Sequence, residues 1–495
     1  MIPGYATPAG TRRYAARFSG LPFHRLPADL LVSAAGFGAY RIGNHSPAQQ
    51  TALRQALLSG INLVDTSSNY GDGASEALIG QIADQLIASG RLQRDELVVV
   101  TKGGYLQESS LRRAEERAAA GLPLPDLVPY APGLAHCLHP DFLSDQIDRS
   151  LQRLSLQTVD VYLLHNPEYY LRWALREGVP LVDARAEYQR RLRRAFDYLE
   201  TAVSANRIRA YGVSSNTFPI AHTDPTHTSL SRLLALGDYP GFRVIQLPLN
   251  LLESGAAVLP NQEQGQTVLA LAASRGLAVL INRPLNAIKD NALLRLSDLP
   301  SIPLPAQEEV STAVDTLAAA ETDLPALLAP LSLATAEADD VAALFNGGRL
   351  LQVRWSSFGS LNNWREVVER FLRPRAVHGL QILAAHGSGE PALLDWAAAY
   401  ATRFGEVEGL VNRYYQAQAG LWVAEIKRRV AAAEPAWVAD TLSQTAIRAL
   451  RATEGVTSVL VGMRSVDYVA DVVAELYRPV SRAPHGDAWR QLSSY

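Results

Sequence analysis

The stretch Ile61 to Gly80, INLVDTSSNYGDGASEALIG, reads as a buried strand that breaks into a glycine-rich loop and then a helix. Leu63 and Val64 are apolar and Thr66 follows, so Asp65 stands where a hydrophobic strand stops. Tyr70 lies further on, in a loop marked by Gly71, Asp72 and Gly73, and Ser75 with Glu76 is the expected N-cap and first-turn acid of the helix. A carboxylate at the carboxyl end of a buried strand, followed by a phenol on the βα loop, is where a (β/α)8 barrel keeps its chemistry. An Asp at a strand end serves equally as a turn residue or a helix cap, so the reading depends on what other strand ends carry.

Two further apolar runs carry ionisable residues at the same place. Glu96 to Gly103, ELVVVTKG, ends in Lys102, and Val159 to Asn166, VDVYLLHN, ends in His165. These segments resemble the aldo-keto reductase family, whose pattern joins a G-x-N-x-x-D-T-x-x-x-Y-G segment to a T-K strand end and a D-x-Y-x-x-H strand end. The likeness continues through Tyr211 to Asn216 (YGVSSN), Gln246 to Asn250 (QLPLN) and Val459 to Arg464 (VLVGMR). It covers about Phe23 to Ile288 and Thr441 to Leu476. The fold it implies is a (β/α)8 TIM barrel.

Composition sets the frame around these motifs. A chain of 495 residues with 48% hydrophobic and 19% charged residues is globular, and long enough for one elaborated barrel or a barrel with an inserted subdomain. A formal charge of −3 and a pI near 6.4 give no electrostatic reason to expect nucleic acid or an anionic membrane as partner. The single cysteine, Cys137, forbids an intrachain disulfide. No apolar run reads as a secretory signal or a bilayer span, so a cytoplasmic location is expected. Only three of the 46 basic residues are lysine: Lys102, Lys289 and Lys427. A lysine at a strand end, in a chain that otherwise uses arginine, suits a site that needs a compact ammonium of adjustable pKa.

Taken in order, residues 1–22 read as a surface arm without periodicity. Phe23 to Gly43 resembles the hairpin that closes the barrel floor, followed by a strand in which Gly36 and Gly38 suit either a bend or a close backbone approach to a ligand. Helices at Pro47–Ser59, Ser75–Ser89, Pro140–Leu154, Arg185–Arg207 and Gly265–Arg275 then alternate with strands ending near Asp65, Lys102, His165, Ser215, Asn250 and Pro284. The barrel is assigned residues 23–289 and 441–480, and the tail 481–495. Residues 290–440 contain helical patterns and no clear strand; they interrupt the barrel after its seventh strand, as a helical insertion expected over the mouth. The loops 104–138 and 167–184 are smaller expansions on the same side.

Reducing a carbonyl takes a hydride to carbon and a proton to oxygen. A phenol is a weak acid at neutral pH, so a neighbouring ammonium should lower its pKa and a carboxylate should hold the ammonium. The resemblance assigns Tyr70 as proton donor, Lys102 as its tuner, Asp65 as the partner of Lys102, and His165 as the group that orients the carbonyl. No G-x-G-x-x-G follows an early strand, so a Rossmann route to the dinucleotide is not supported. The resemblance instead implies that Asn216, Gln246 and a serine, Ser214 or Ser215, hold the nicotinamide amide. Arg283, Leu285, Gly462, Arg464 and Ser465 complete the implied cofactor set, with Arg464 suited to a 2′-phosphate.

The chain departs from the family at two places. Asn282 replaces a tyrosine that stacks on the nicotinamide, and Val472 stands where adenine is hydrogen-bonded. Arg464 still makes NADP(H) the expected cofactor, with NAD(H) as the alternative. A small aldehyde, ketone, sugar or alcohol is the expected substrate, and the oligomeric state is left open. The rival reading is a non-catalytic nucleotide-binding sensor or docking protein of the same fold. His136, Cys137 and His139 have metal-ligand types but no second cluster, so no metal is expected. Trp355, Trp364, Phe371, Tyr414 and Tyr415 read as the insertion's own core, and Arg190 to Arg194 as a solvated helix face.

Overall fold

The computed structural model describes residues 1–43, 46–289, 292–331, 334–386 and 389–493. Eight parallel strands close into a barrel: β1 (Ala35–Gly38), β2 (Leu63–Asp65), β3 (Val98–Gly103), β4 (Val159–His165), β5 (Ile208–Ser214), β6 (Phe242–Pro248), β7 (Ala278–Asn282) and β8 (Ser458–Val461). Each pairs with its sequence neighbours, and β8 pairs with β1 through Leu460 opposite Gly36.

Alternation along the strands builds both the core and the mouth. Leu63, Val98, Val100, Val161, Leu163, Val244, Leu280 and Leu460 form one buried cluster with Leu26, Leu30 and Val32. The last three belong to the antiparallel hairpin Phe23–Leu26 with Leu30–Ser33. Because side chains repeat every second residue on one face, the next inward positions along β2, β3, β4, β6 and β7 are Asp65, Lys102, His165, Gln246 and Asn282. One step beyond the apolar core, the same face therefore becomes polar. Gly36 faces the crowded interior: a Cβ there would meet Leu63 Cδ2 at 2.4 Å and Leu460 Cδ2 at 2.9 Å. That glycine makes room for core side chains, which is a packing reason and not the ligand approach considered from sequence.

Several local expectations are corrected. Residues 1–22 are not a bare arm: Pro8–Ala16 is a helix capped by Thr7, Tyr14 is fully buried, and its hydroxyl donates to Leu57 O at 2.6 Å. A helix this short, with few aliphatic residues, has too weak an apolar stripe to stand out by periodicity. The tail likewise ends in a helix, Gly486–Ser493, with buried Trp489 donating Nε1–H to Thr453 Oγ1 at 2.9 Å. Ser75 is not a cap. The helix after β2 begins at Ala74 behind Gly73, whose φ of 90° requires glycine, and Ser75 Oγ turns inward to donate to Ala39 O at 3.0 Å. Glu76 is buried against Thr101 and Arg153. The 104–138 expansion contains a three-stranded antiparallel sheet of Tyr105–Leu106, Leu134–His136 and Val128–Ala131.

The chain divides into two compact units, Met1–Leu285 with Val430–Tyr495, and Asn286–Arg429. The second opens with a hairpin, Asn286–Lys289 against Ala292–Arg295, where no strand is expected from sequence; two four-residue strands are too short to show alternation. Its helices surround a cluster that includes Leu317, Leu324, Phe345, Trp364, Tyr400 and Val411. Trp355, Tyr414 and Tyr415 join that core, whereas Phe371 is 60% exposed. Pro391–Ala433 is one helix.

In the first unit, the helices flanking β8, Leu442–Ala452 and Val466–Leu476, are joined by buried Glu475. It accepts from Arg448 Nη2 at 2.7 Å and from Arg451 Nη1 at 2.8 Å. Glu475→Ala leaves both guanidinium groups without their carboxylate, and a loss of about 3–5 kcal/mol is expected. A lower urea midpoint checks this.

Candidate active site

Lys102 lies at the carboxyl end of β3, fully buried. Its ammonium donates to Asp65 Oδ2 at 2.8 Å, to Thr66 O at 2.8 Å and to Tyr70 Oη at 3.3 Å. Three donors on a compact head are thus used in three directions, which a planar guanidinium cannot reproduce. Burial acts to lower the Lys102 pKa, but the Asp65 carboxylate and the Tyr70 hydroxyl overcome it, so the group is held above its ordinary value. Asp65 is raised by burial, with Lys102 and Gln246 pulling it back.

Tyr70 comes from the loop that Gly71 and Gly73 shape, and it is half-buried. Its ring packs edge-on against Tyr40, with centroids 5.0 Å apart, and lies 6.1 Å from the His165 ring. Burial raises the phenol's pKa more than Lys102 lowers it. The lowering expected from sequence is therefore present as a cause but not as the net effect.

His165 is held well below its ordinary pKa by burial, by Lys102 and by His136, so its imidazole is neutral at physiological pH. Nδ1 lies 3.1 Å from Ser67 Oγ, and Nε2 has no hydrogen-bond partner among the described residues. His136 Nε2 donates to His165 O at 2.8 Å, and the Tyr105 ring stands edge-on to His165 at 4.7 Å. Ser67, Tyr105 and His136 thus surround His165; Ser67 lies inside the quoted Asp65–Tyr70 segment, and the others sit in the loop expansion.

The remaining candidates extend around the rim. Gln246 Nε2 donates to Asp65 Oδ1 at 2.7 Å, and Gln246 Oε1 accepts from Ser214 Oγ at 2.9 Å and from Asn282 Nδ2 at 3.4 Å. Ser214 therefore lies against Gln246. Ser215 points away from it and donates to buried Glu168 at 2.9 Å, while the Asn216 N–H donates to the other oxygen of Glu168 at 3.0 Å. Burial pushes Glu168 up to about 7. Arg283, with φ of 51°, pairs with Glu253 at 2.8 Å. Leu285 is half-buried. After β8, Gly462 is exposed, Ser465 Oγ caps the helix Val466–Leu476, and Arg464 makes no ion pair among the described residues. Asp471 is occupied by Ser443 and Gln444, and Val472 is buried. No hydrogen bond among the described residues joins Arg283, Leu285, Gly462, Arg464 or Ser465 to the Lys102 cluster.

Two observations bear on a polar ligand at this rim. Asn282 Oδ1 and Arg283 Nε are buried without a hydrogen-bond partner, and native structures seldom leave such atoms unpaired. An acceptor beside Gln246 and a donor one residue later fit a carboxamide and an anionic linker. The three metal-ligand types near His139 have other uses: His136 holds β4, Cys137 Sγ approaches Pro125 O at 3.4 Å, and His139 caps the helix Pro140–Arg153. Among the described residues, no helix is long and apolar enough to cross a membrane.

Fold and rim together define a (β/α)8 barrel protein with a Tyr, Lys, Asp and His cluster at the strands' carboxyl ends. The model of the aldo/keto reductase family matches residues 34–287, and the chain belongs to that family. It is 28% identical over 199 residues to a 6-dehydroglucose reductase of Novosphingobium aromaticivorans, covering 38% of this chain and 50% of the relative. It is 30% identical over 149 residues to an NADH-specific methylglyoxal reductase of Escherichia coli, covering 28% of this chain and 39% of the relative. The matched part spans half or less of the length of these curated relatives. Among solved structures, a glycerol dehydrogenase of Gluconobacter oxydans is 15% identical, with 96% of this chain and 95% of that chain covered and a TM-score of 0.47.

Proposed function

We propose that this chain is an oxidoreductase that moves a hydride between a nicotinamide dinucleotide and an aldehyde, ketone or sugar, or the corresponding alcohol. The observation that carries the reading is the contact of Lys102 Nζ with both Asp65 and Tyr70 Oη, beside a neutral imidazole with a free Nε2. The dinucleotide, when bound, supplies or takes up the hydride. The chain's own residues manage the proton and the oxygen. His165 Nε2–H donates to the carbonyl oxygen and fixes its position. Tyr70 Oη–H passes its proton to that oxygen, and the phenolate left behind is stabilised by the Lys102 ammonium at hydrogen-bond distance. Asp65 keeps that ammonium charged and in place. Membership of a family that includes a 6-dehydroglucose reductase and a methylglyoxal reductase supports a small carbonyl substrate.

Ser214, Asn216, Gln246 and Asn282 would hold the nicotinamide amide, Arg283 the linker, and Arg464 with Gly462 and Ser465 the nucleotide end. Fluorescence titration with NADPH and NADH, followed by assay of carbonyl reduction, tests the reading. Tight binding of either nucleotide without turnover of any carbonyl or alcohol would favour the sensor reading instead. Arg464→Ala is expected to weaken NADPH more than NADH, by about 1.5–3 kcal/mol, the range for a hydrogen bond to a charged group. Equal losses for the two nucleotides would remove the 2′-phosphate role and with it the preference for NADP(H).

A further inference from the structure

A cavity of about 370 Å³ lies away from the Lys102 cluster, between the outer helix Leu181–Ser204, the loop after β5 and the loop after β6. Its lining includes Arg185, Arg232, His222 and His227, against one carboxylate, Glu263. Glu263 is exposed. The nearby Asp224 carboxylate is already engaged by Thr226, which donates its N–H and its hydroxyl to Oδ1, each at 2.7 Å.

The basic groups have no such partners. Neither Arg185 nor Arg232 makes an ion pair among the described residues; Arg185 makes only a 3.3 Å hydrogen bond to Asp224 O. Burial lowers the Arg185 pKa, and the charge of Arg232 adds to this against an opposing effect of Asp224; both arginines line the one cavity. His227 is 8% exposed, and its Nε2 is buried without a hydrogen-bond partner. Burial, Arg185, His222 and Arg232 lower His227 to about 4, against a small opposing effect of Asp224. Buried ring nitrogens are normally satisfied, and His227 is among the residues that line the cavity together with the two arginines. Tyr188, on the same helix as Arg185, ties that helix to the loop after β5, its hydroxyl lying 3.0 Å from Thr228 Oγ1.

We propose that this cavity binds a small oxyanion of the phosphate class, with Arg185 and Arg232 neutralising its charge and His227 Nε2–H donating to one of its oxygens. Arginine forks match the spacing of phosphate oxygens, and an anion would relieve both the like-charge repulsion and the unsatisfied imidazole. The cavity is larger than phosphate alone requires and lies in the size range of small-molecule sites. The anion can therefore be inorganic phosphate or the head of a small phosphomonoester.

The test uses calorimetric titration of the full chain at constant ionic strength, with inorganic phosphate and glycerol 3-phosphate as probes and chloride as control. Saturable binding of phosphate is expected. Its Kd should rise at least tenfold in Arg232→Gln and in the double variant Arg185→Gln/Arg232→Gln, and stay within twofold in Arg464→Ala. Arg232 is exposed, so the single variant reports even if the double variant folds poorly. Tighter binding of glycerol 3-phosphate would assign the site to a phosphomonoester, and equal binding would assign it to the phosphate group alone. No saturable binding beyond chloride, or binding that survives Arg232→Gln and is lost in Arg464→Ala, would overturn the proposal.

Discussion

Tyr70→Phe is expected to lower kcat for carbonyl reduction by about 10²–10⁴-fold, the usual contribution of a positioned general acid, while nucleotide affinity stays within about twofold. The substitution removes one oxygen. The ring keeps its edge-on packing with Tyr40 at 5.0 Å and its place above the Lys102 ammonium, 4.9 Å from the ring centroid, so the loop has no reason to move. On the proposed mechanism, what is lost is the transferable proton on Tyr70 Oη, and with it the 3.3 Å hydrogen bond from Lys102 that would steady a phenolate. The net upward shift of Tyr70 means that the phenol is protonated at neutral pH, in the state a donor needs. In the direction of reduction, activity should therefore hold on the acid side and fall at alkaline pH as Tyr70 loses its proton. A Tyr70→Phe variant retaining activity within twofold of the parent would mean that another group supplies the proton.

How much of this was legible in the sequence follows from the same physics. The barrel strands and their helices could be read because β-branched runs and 3.6-residue stripes repeat in alternation. Asp65, Lys102 and His165 could be placed because each is the first polar residue on the inward face where an apolar run ends. The groups that orient them were harder to see. His136 reaches His165 O from a sheet inside a loop expansion, and Glu168 holds Ser215 and Asn216 across two loops; no local spacing encodes either contact. Sequence could not separate Ser214 from Ser215, because adjacent residues at the end of a strand face opposite ways only once the register is known. The helix Pro8–Ala16 has too weak an apolar stripe to be read locally, because what holds it is side-chain contact with distant residues, Tyr14 Oη with Leu57 O and Arg13 with Glu96. The cavity at Arg185 and Arg232 was invisible for a related reason. Its four basic groups are scattered between residues 185 and 232, with no local spacing that joins them.

Lys102→Met is expected to abolish activity and to cost about 3–5 kcal/mol of stability at neutral pH, because it leaves the buried Asp65 carboxylate without its cation. The pH dependence separates this cause from lost packing. Burial already raises Asp65, and Lys102 is the largest influence pulling it down; without the ammonium, the folded-state pKa rises further above the unfolded one. A carboxyl shifted in that direction favours the folded state below the unfolded pKa, and that contribution is lost as pH rises through the folded pKa. The deficit of Lys102→Met relative to the parent should therefore shrink toward acid pH, where Asp65 is protonated, and grow toward neutrality. Lys102→Arg tests geometry in place of charge. A guanidinium keeps the cation but cannot bring one compact donor head to Asp65 Oδ2, Thr66 O and Tyr70 Oη at once. Stability should recover in part while kcat stays low. Urea unfolding across the pH range, with kcat measured on the same samples, checks both variants. A stability deficit for Lys102→Met that does not change with pH would mean that packing around the lysine stem, not the charge on Asp65, is what the ammonium protects.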